Sequence, residues 1–298
     1  MGLLLGKAFC KIAETNDKKT RFSCIPERAN VVKKVYEYVE NPNEYQKLNV
    51  YSDSTRLAKS PALIDIHGGG WYYGDKDLNE SYDTLFVTKG FTVISVGYSL
   101  VDKTHSFVDQ VRDTVLALNW IKANAEMLNI DLDNVFAMGD SAGAQILGLI
   151  INLSESDEMK KVFAVSPELS FNSVNFTCGA FKMSFMASIP VLRSFVKPII
   201  GKGFKKSTAY KYFNAIDNLP STYPPAHFIT CDGDFLKKIV LETKKVFDEL
   251  GFETSLTCIT KKQVGKKLSH VFNIMRPDDE ISMIANNATA EFFKKYMK

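Results

Sequence analysis

The chain has 298 residues, 45% of them hydrophobic, and carries 37 basic against 34 acidic residues for a formal charge of +3. That composition excludes disordered and fibrous classes and leaves room for one large α/β domain, or for a core domain with an inserted subdomain. Both signs of charge are mixed along the chain and the lysine clusters are short, as at Lys261-Lys262 and Lys266-Lys267, which predicts a solvated surface and no nucleic-acid groove.

The first forty residues read as a polar leader with a short helix or two. Met1-Gly2-Leu3-Leu4-Leu5-Gly6 reaches Lys7 too soon for a signal-peptide core, and Gly6 stands where a myristoylation signal needs Ser or Thr. No apolar run approaches the roughly 18 residues of a membrane span. A soluble cytoplasmic protein without stable membrane insertion is therefore expected. The five cysteines, Cys10, Cys24, Cys178, Cys231 and Cys258, show no C-x-x-C spacing, so neither a metal site nor a disulfide framework is expected.

Beyond the leader, strand-like and helix-like patterns alternate. Strands are predicted at Lys47 to Tyr51, Ala62 to Ile66, Thr92 to Tyr98, Val135 to Met138, Val162 to Val165, Ala226 to Thr230 and Thr254 to Ile259. Helices are predicted at Ser81 to Lys89, Phe107 to Ala125, Ala142 to Leu153, Leu236 to Leu250 and Ile281 to Met297. Continuous apolar strands such as Thr92-Val93-Ile94-Ser95-Val96 suit a mostly parallel sheet with helices on both faces, an α/β architecture. From about Phe171 to Asn218 the alternation stops and Phe, Met, Lys and Pro dominate. A structureless loop of that length is improbable in a compact domain, so a helical insertion is expected.

Two motifs carry chemistry. Val135-Phe136-Ala137-Met138-Gly139-Asp140-Ser141-Ala142-Gly143 runs from a buried strand through G-x-S-x-G into an apolar helix. A serine on so tight a turn needs small neighbours two positions away on each side, and Gly139 and Gly143 supply them. A hydroxyl needs a base within reach and an acid behind that base. Of the four histidines, His67 and His105 precede the serine, and His227 sits inside a predicted strand. That leaves His270 in the chain order serine, acid, histidine. The acid falls in Thr230-Cys231-Asp232-Gly233-Asp234-Phe235-Leu236, where both Asp232 and Asp234 are candidates and one of them could cap the following helix. The second motif, HGGGW at residues 67 to 71, has glycines that let backbone N–H groups approach a developing oxyanion, joined by the N–H of Ala142.

On HGGGW at His67, GDSAG at Gly139 and the late His270, the chain resembles the hormone-sensitive-lipase-like family of α/β-hydrolase esterases over about residues 45 to 298. Gly97-Tyr98-Ser99-Leu100 with His105-Ser106-Phe107, and Asn129-Ile130-Asp131-Leu132-Asp133 before the serine strand, are similar to further family stretches. The resemblance implies an α/β-hydrolase fold with a helical cap. Residues 41–170 and 219–298 would form the core, 171–218 the cap insertion, and 1–40 an N-terminal part of the cap. It selects Asp234 over Asp232 by alignment with a D-P-L-R-D pattern, and Gly69 and Gly70 as oxyanion donors beside Ala142. His67 and Gly68 then shape the loop. Phe181, Phe185, Met183, Met186, Val191 and Leu192 of the insertion could line an apolar pocket or form the cap's own core. Ser99 for Arg, Phe235 for Pro and Val271 for Gly are departures from the family pattern.

The resulting expectation is a serine carboxylesterase for short-chain acyl esters, with no cofactor and no metal. Its partners would be a small-molecule ester, no nucleic acid, and a second copy of the chain if it is a homodimer. The alternatives are a peptidase or amidase, an acetyl or feruloyl carbohydrate esterase, and a non-catalytic ligand-binding protein on the same fold.

Overall fold

A computed structural model describes residues 1–23 and 25–298; Cys24 lies outside the described residues. The elements, in chain order, begin with helix α1 (Gly2–Lys19), strands β1 (Val31–Glu37), β2 (Lys47–Asp53) and β3 (Ser60–Ile66), helix α2 (Glu80–Thr88) and strand β4 (Thr92–Val96). Next come α3 (Phe107–Ala123), β5 (Ile130–Asp140), α4 (Ala142–Glu155), α5 (Asp157–Phe163), β6 (Ser173–Thr177) and α6 (Pro190–Ile200). The chain ends with β7 (Ala226–Cys231), α7 (Lys237–Glu249), β8 (Thr254–Ile259), α8 (Lys261–Val264), α9 (Phe272–Met275) and α10 (Glu280–Lys295).

The eight strands form one sheet in the order β1-β2-β4-β3-β5-β6-β7-β8. β1 and β2 pair antiparallel, as do β2 and β4, and every later pairing is parallel. Alternate side chains go to opposite faces: Ala62, Ile64 and Ile66 of β3 join the cluster containing α3, α4 and α7, and Leu63 joins the one containing α2 and α10. With both faces covered, the strands read as continuous apolar runs. This is the α/β-hydrolase fold. No helix among the described residues is long and apolar enough to cross a membrane.

Three segments differ from the sequence expectation. Val162 to Val165 is not a strand: Asp157–Phe163 is helical, with the Ser156 hydroxyl accepting from the Met159 amide and Ala164 ending the helix at φ 52°. Met159, Val162 and Phe163 are spaced for one helix face, which four residues read alone conceal. The next parallel strand after β5 is instead β6, inside the stretch assigned to the insertion. Asn175 and Thr177 interrupt its apolar pattern, yet both are buried because Asn175 hydrogen-bonds across to the His227 backbone and ring. In the leader, residues 31–37 form edge strand β1, whose mostly exposed Val-Val-Lys-Lys-Val pattern has no buried face to reveal it.

The helical part of the insertion therefore begins near Met183, with a 3-10 turn at Ser184–Ser188 before α6. Helix α1 lies on α6, and a Cβ at Gly6 would come within 2.5 Å of the Tyr72 ring, so only glycine permits that approach. Phe9 and Phe195 meet edge to face at 5.9 Å, and the Tyr72 hydroxyl donates to the Phe195 carbonyl at 2.7 Å. Together α1, the 3-10 turn and α6 form a roof above the C-terminal ends of the parallel strands.

Candidate active site

Strand β5 ends at Asp140 and α4 begins at Ala142, leaving Ser141 alone to turn the chain, at φ 51° and ψ −112°. A left-handed serine is strained. It is held by its amide, which donates to the Thr177 carbonyl at 2.9 Å, and by its carbonyl, which accepts from Ala180 at 3.0 Å. The turn also needs bare backbone beside it: a Cβ at Gly143 would sit 2.0 Å from the Ile66 carbonyl oxygen.

His270 Nε2 lies 2.9 Å from Ser141 Oγ, and His270 Nδ1 lies 2.7 Å from Asp234 Oδ1. A carboxylate can only accept, so Nδ1 carries the proton and Nε2 is left to accept from the hydroxyl. Asp234 is buried. Oδ1 also accepts from the Leu236 amide at 2.9 Å, and Oδ2 from the Thr230 hydroxyl at 2.7 Å. Burial pushes this carboxyl up, but the His270 hydrogen bond and charge, the Leu236 amide and Thr230 outweigh it and hold the group below the usual aspartate range. Asp232 stands elsewhere: its oxygens accept from Lys237 Nζ at 2.6 Å and from the Lys261 amide at 2.7 Å, tying the end of β7 to α8.

The glycine loop faces Ser141. His67 is buried and stacked on Tyr98 at 4.2 Å, and its Nδ1 donates to the Gly68 carbonyl at 2.8 Å. Desolvation lowers its pKa, so it remains neutral and shapes the loop. The Gly68 amide donates to Asp140 Oδ1 at 2.9 Å. Gly69 and Gly70 both have positive φ, and among the described residues their amides, like that of Ala142, have no hydrogen-bond acceptor. Trp71 anchors the loop's far end, its indole donating to Gln145 at 2.8 Å and its carbonyl accepting from Gln110 at 2.9 Å.

A cavity of about 480 Å³ opens onto Ser141, His270, Gly69 and Gly70. Of the six insertion residues considered as lining, Met183 and Met186 reach it. Phe181 is core, packed against Phe176 and Phe228; Phe185 and Val191 are exposed; and Leu192 packs on the core. The rest of the roof lining comes from Phe9, Ala13, Asn16, Asp17 and Arg21 in and just after α1, and from Phe195. Their spacing on one helix face was the available signal.

Residue-type reasoning also missed three supports. Beside Thr230, Cys231 Sγ donates to the carbonyls of Leu268 and Ser269, just before His270, at 3.4 and 3.3 Å. Cys178 Sγ accepts from the Val271 amide at 3.4 Å. Cys178, Asp234 and His270 offer ligand-type atoms within 4.8 Å of one another. Burial, however, raises the thiol pKa far above its ordinary value, and Nδ1 is turned onto Asp234, so the arrangement suits a hydrogen-bonded relay and not a metal.

Known proteins resemble this chain in sequence and in fold. The BD-FAE family model matches residues 48–239. A crystal structure of esterase B from Lactobacillus rhamnosis, inhibited by a C4-C4 SN3 tributyrin phosphonate, superposes with a TM-score of 0.91 at 25% identity, covering 99% of this chain and 95% of that one. Among curated proteins, kynurenine formamidase of Salmo salar is 28% identical over 156 residues, 51% of this chain and 46% of its own. Ethyl acetate hydrolase of Pseudomonas putida is 35% identical over 95 residues, 30% of this chain and 29% of its own. The chain thus spans about half, or less, of the length of these curated relatives.

Proposed function

The chain belongs to the BD-FAE family of α/β-hydrolase esterases, and from that footing we propose that it is a serine carboxylesterase acting on short-chain acyl esters. The observation that carries this reading is the unbroken relay from Ser141 through His270 to Asp234, at 2.9 and 2.7 Å, facing a mostly apolar cavity. Ser141 Oγ attacks the ester carbonyl as His270 Nε2 takes its proton. The carbonyl oxygen gains charge toward the amides of Gly69, Gly70 and Ala142. His270 then returns the proton to the departing alkoxide, leaving an acyl-Ser141 ester. Water, deprotonated by the same nitrogen, attacks that ester and releases the carboxylic acid and free Ser141. Asp234 keeps the imidazole oriented throughout.

The short acyl preference is supported by the cavity's size and by the butyryl-type phosphonate bound by the Lactobacillus enzyme. The formamidase similarity favours a second reading, hydrolysis of small amides at the same serine. We also assign the protein to the cytoplasm, where four free cysteines, Cys10, Cys178, Cys231 and Cys258, would stay reduced.

A panel of p-nitrophenyl esters from acetyl to dodecanoyl, with butyryl anilide as amide control, tests the proposal. Wild type should peak at short chains and prefer ester to anilide. Ser141→Ala should lose about 10⁴-fold or more in kcat with its fold intact. Unchanged turnover in that variant would remove Ser141 from the mechanism, and anilide preference would select the amidase reading.

A further inference from the structure

A line of buried hydrogen bonds connects the roof to the machinery below it. Arg21 follows α1 on the cavity wall, and its Nε donates to Asp17 Oδ1 at 3.1 Å. Its Nη1 donates to the side-chain carbonyl of Asn79, just before α2. The Asn79 amide nitrogen in turn donates to Asp140 Oδ1 and to Asp65 Oδ2, both at 3.0 Å. Asp140 Oδ1 also accepts the Gly68 amide at 2.9 Å, and Asp140 is the residue before Ser141. Arg21 is 9% exposed, Asn79 2% and Asp140 1%.

We infer that Arg21 is a positioning residue of the active site, acting through Asn79 and Asp140 to aim the oxyanion loop and hold the serine turn when α1 is docked. The inference rests on the esterase reading above. Three physical points support it. A guanidinium is a permanent cation, and its bond to the Asn79 carbonyl strengthens the Asn79 N–H groups as donors. Arg21 is the partner of the Asn79 side-chain oxygen, while the nitrogen is taken by the carboxyl groups of Asp140 and Asp65, so the guanidinium fixes the end of the amide that those two leave free. Gly68 packs directly on Asp140, where a Cβ would lie 2.4 Å from Asp140 Oδ2, so bare backbone is needed for its amide to bond that carboxyl. The amide pinned at Gly68 therefore sets the direction of the two that follow it. Roof and catalytic loop are thus fastened through the same side chain.

The test uses p-nitrophenyl acetate, whose acyl group is the smallest of the panel and makes the least contact with the roof, on full-length Arg21→Met, Arg21→Lys and Asn79→Ala, each checked by thermal melting. Asn79 does not line the cavity, so Asn79→Ala breaks the relay without altering the pocket wall and carries the test if Arg21→Met does not fold. Arg21→Met and Asn79→Ala should each lower kcat by about tenfold or more with KM within about threefold of wild type. Arg21→Lys should recover part of the loss. Acetate kcat at the wild-type level in both variants, with only KM for longer esters raised, would overturn the inference and reduce Arg21 to pocket lining. Failure of wild type to turn over any ester would instead overturn the esterase reading on which it stands.

Discussion

The floor and the roof of the cavity are built by different means. The floor consists of strand ends and their loops, fixed by backbone geometry: a left-handed Ser141, a glycine that tolerates no Cβ at 143, and a carboxylate caught by three donors. The roof consists of helices held by apolar contact, such as Phe9 on Phe195, and by one buried ion pair between Arg21 and Asp17. Backbone constraints accept few residue types, whereas apolar contact accepts many. The floor should therefore respond to substitution steeply and the roof gradually.

The steepest contrast lies within the floor itself. Asp234→Asn should cut kcat by about 10⁴-fold, because an amide would misorient the imidazole, whereas Asp232→Asn, two residues away, should cost less than about threefold. Similar losses in both variants would break the distinction drawn between them.

A moderate effect is expected beneath the floor. Burial, reinforced by the charge of Asp140, pushes the Asp65 carboxyl up to about 8. Unfolded aspartate titrates near 3.9, so between roughly pH 4 and 8 the folded chain holds a proton that the unfolded chain has lost. Fewer protons bound in the unfolded state make the slope of stability against pH negative. The contribution of Asp65 is thus fully present below about pH 4 and is lost as pH rises toward 8, by at most about 1.4 kcal/mol per unit. Asp65→Asn should flatten that decline in urea midpoints measured at pH 5.5, 6.5 and 7.5. Parallel curves for variant and wild type would show that this carboxyl is not held neutral.

The smallest effect belongs to the apolar part of the roof. Met186→Ala enlarges the cavity, and each methylene newly accommodated is worth about 0.8 kcal/mol, or about fourfold in kcat/KM. Pentanoate, one methylene longer, should gain on butyrate by about that factor. A loss on every ester alike would mean that the roof is as tightly specified as the floor.

The same division explains what could be read from the amino-acid order. Ser141, Asp234 and His270 come together in space because the types able to occupy a serine turn, or to stand behind an imidazole, are few, and chain order together with the strand around His227 narrowed the histidines to one. The choice between Asp232 and Asp234 needed family resemblance, since both follow the same strand and only tertiary contact separates them. Strand β6 was hidden because Asn175 finds its partner on the neighbouring strand, at His227, and Thr177 then donates to Asn175 within β6 itself. The cavity contribution of α1 was obscured for the opposite reason: Phe9, Ala13 and Asp17 lie on a helix whose apolar stripe is narrow, and nothing local says what it faces.

The positive φ of Ser141 has a practical consequence. That conformation costs about 1–2 kcal/mol for a residue with a side chain, and an unfolded chain has no reason to hold it or to bring an imidazole beside it. Heightened reactivity of this hydroxyl toward an organophosphorus reagent is therefore a property of intact molecules only. Stoichiometric tagging at position 141, followed by mass spectrometry, would count the native fraction of a preparation directly, including after heat or storage.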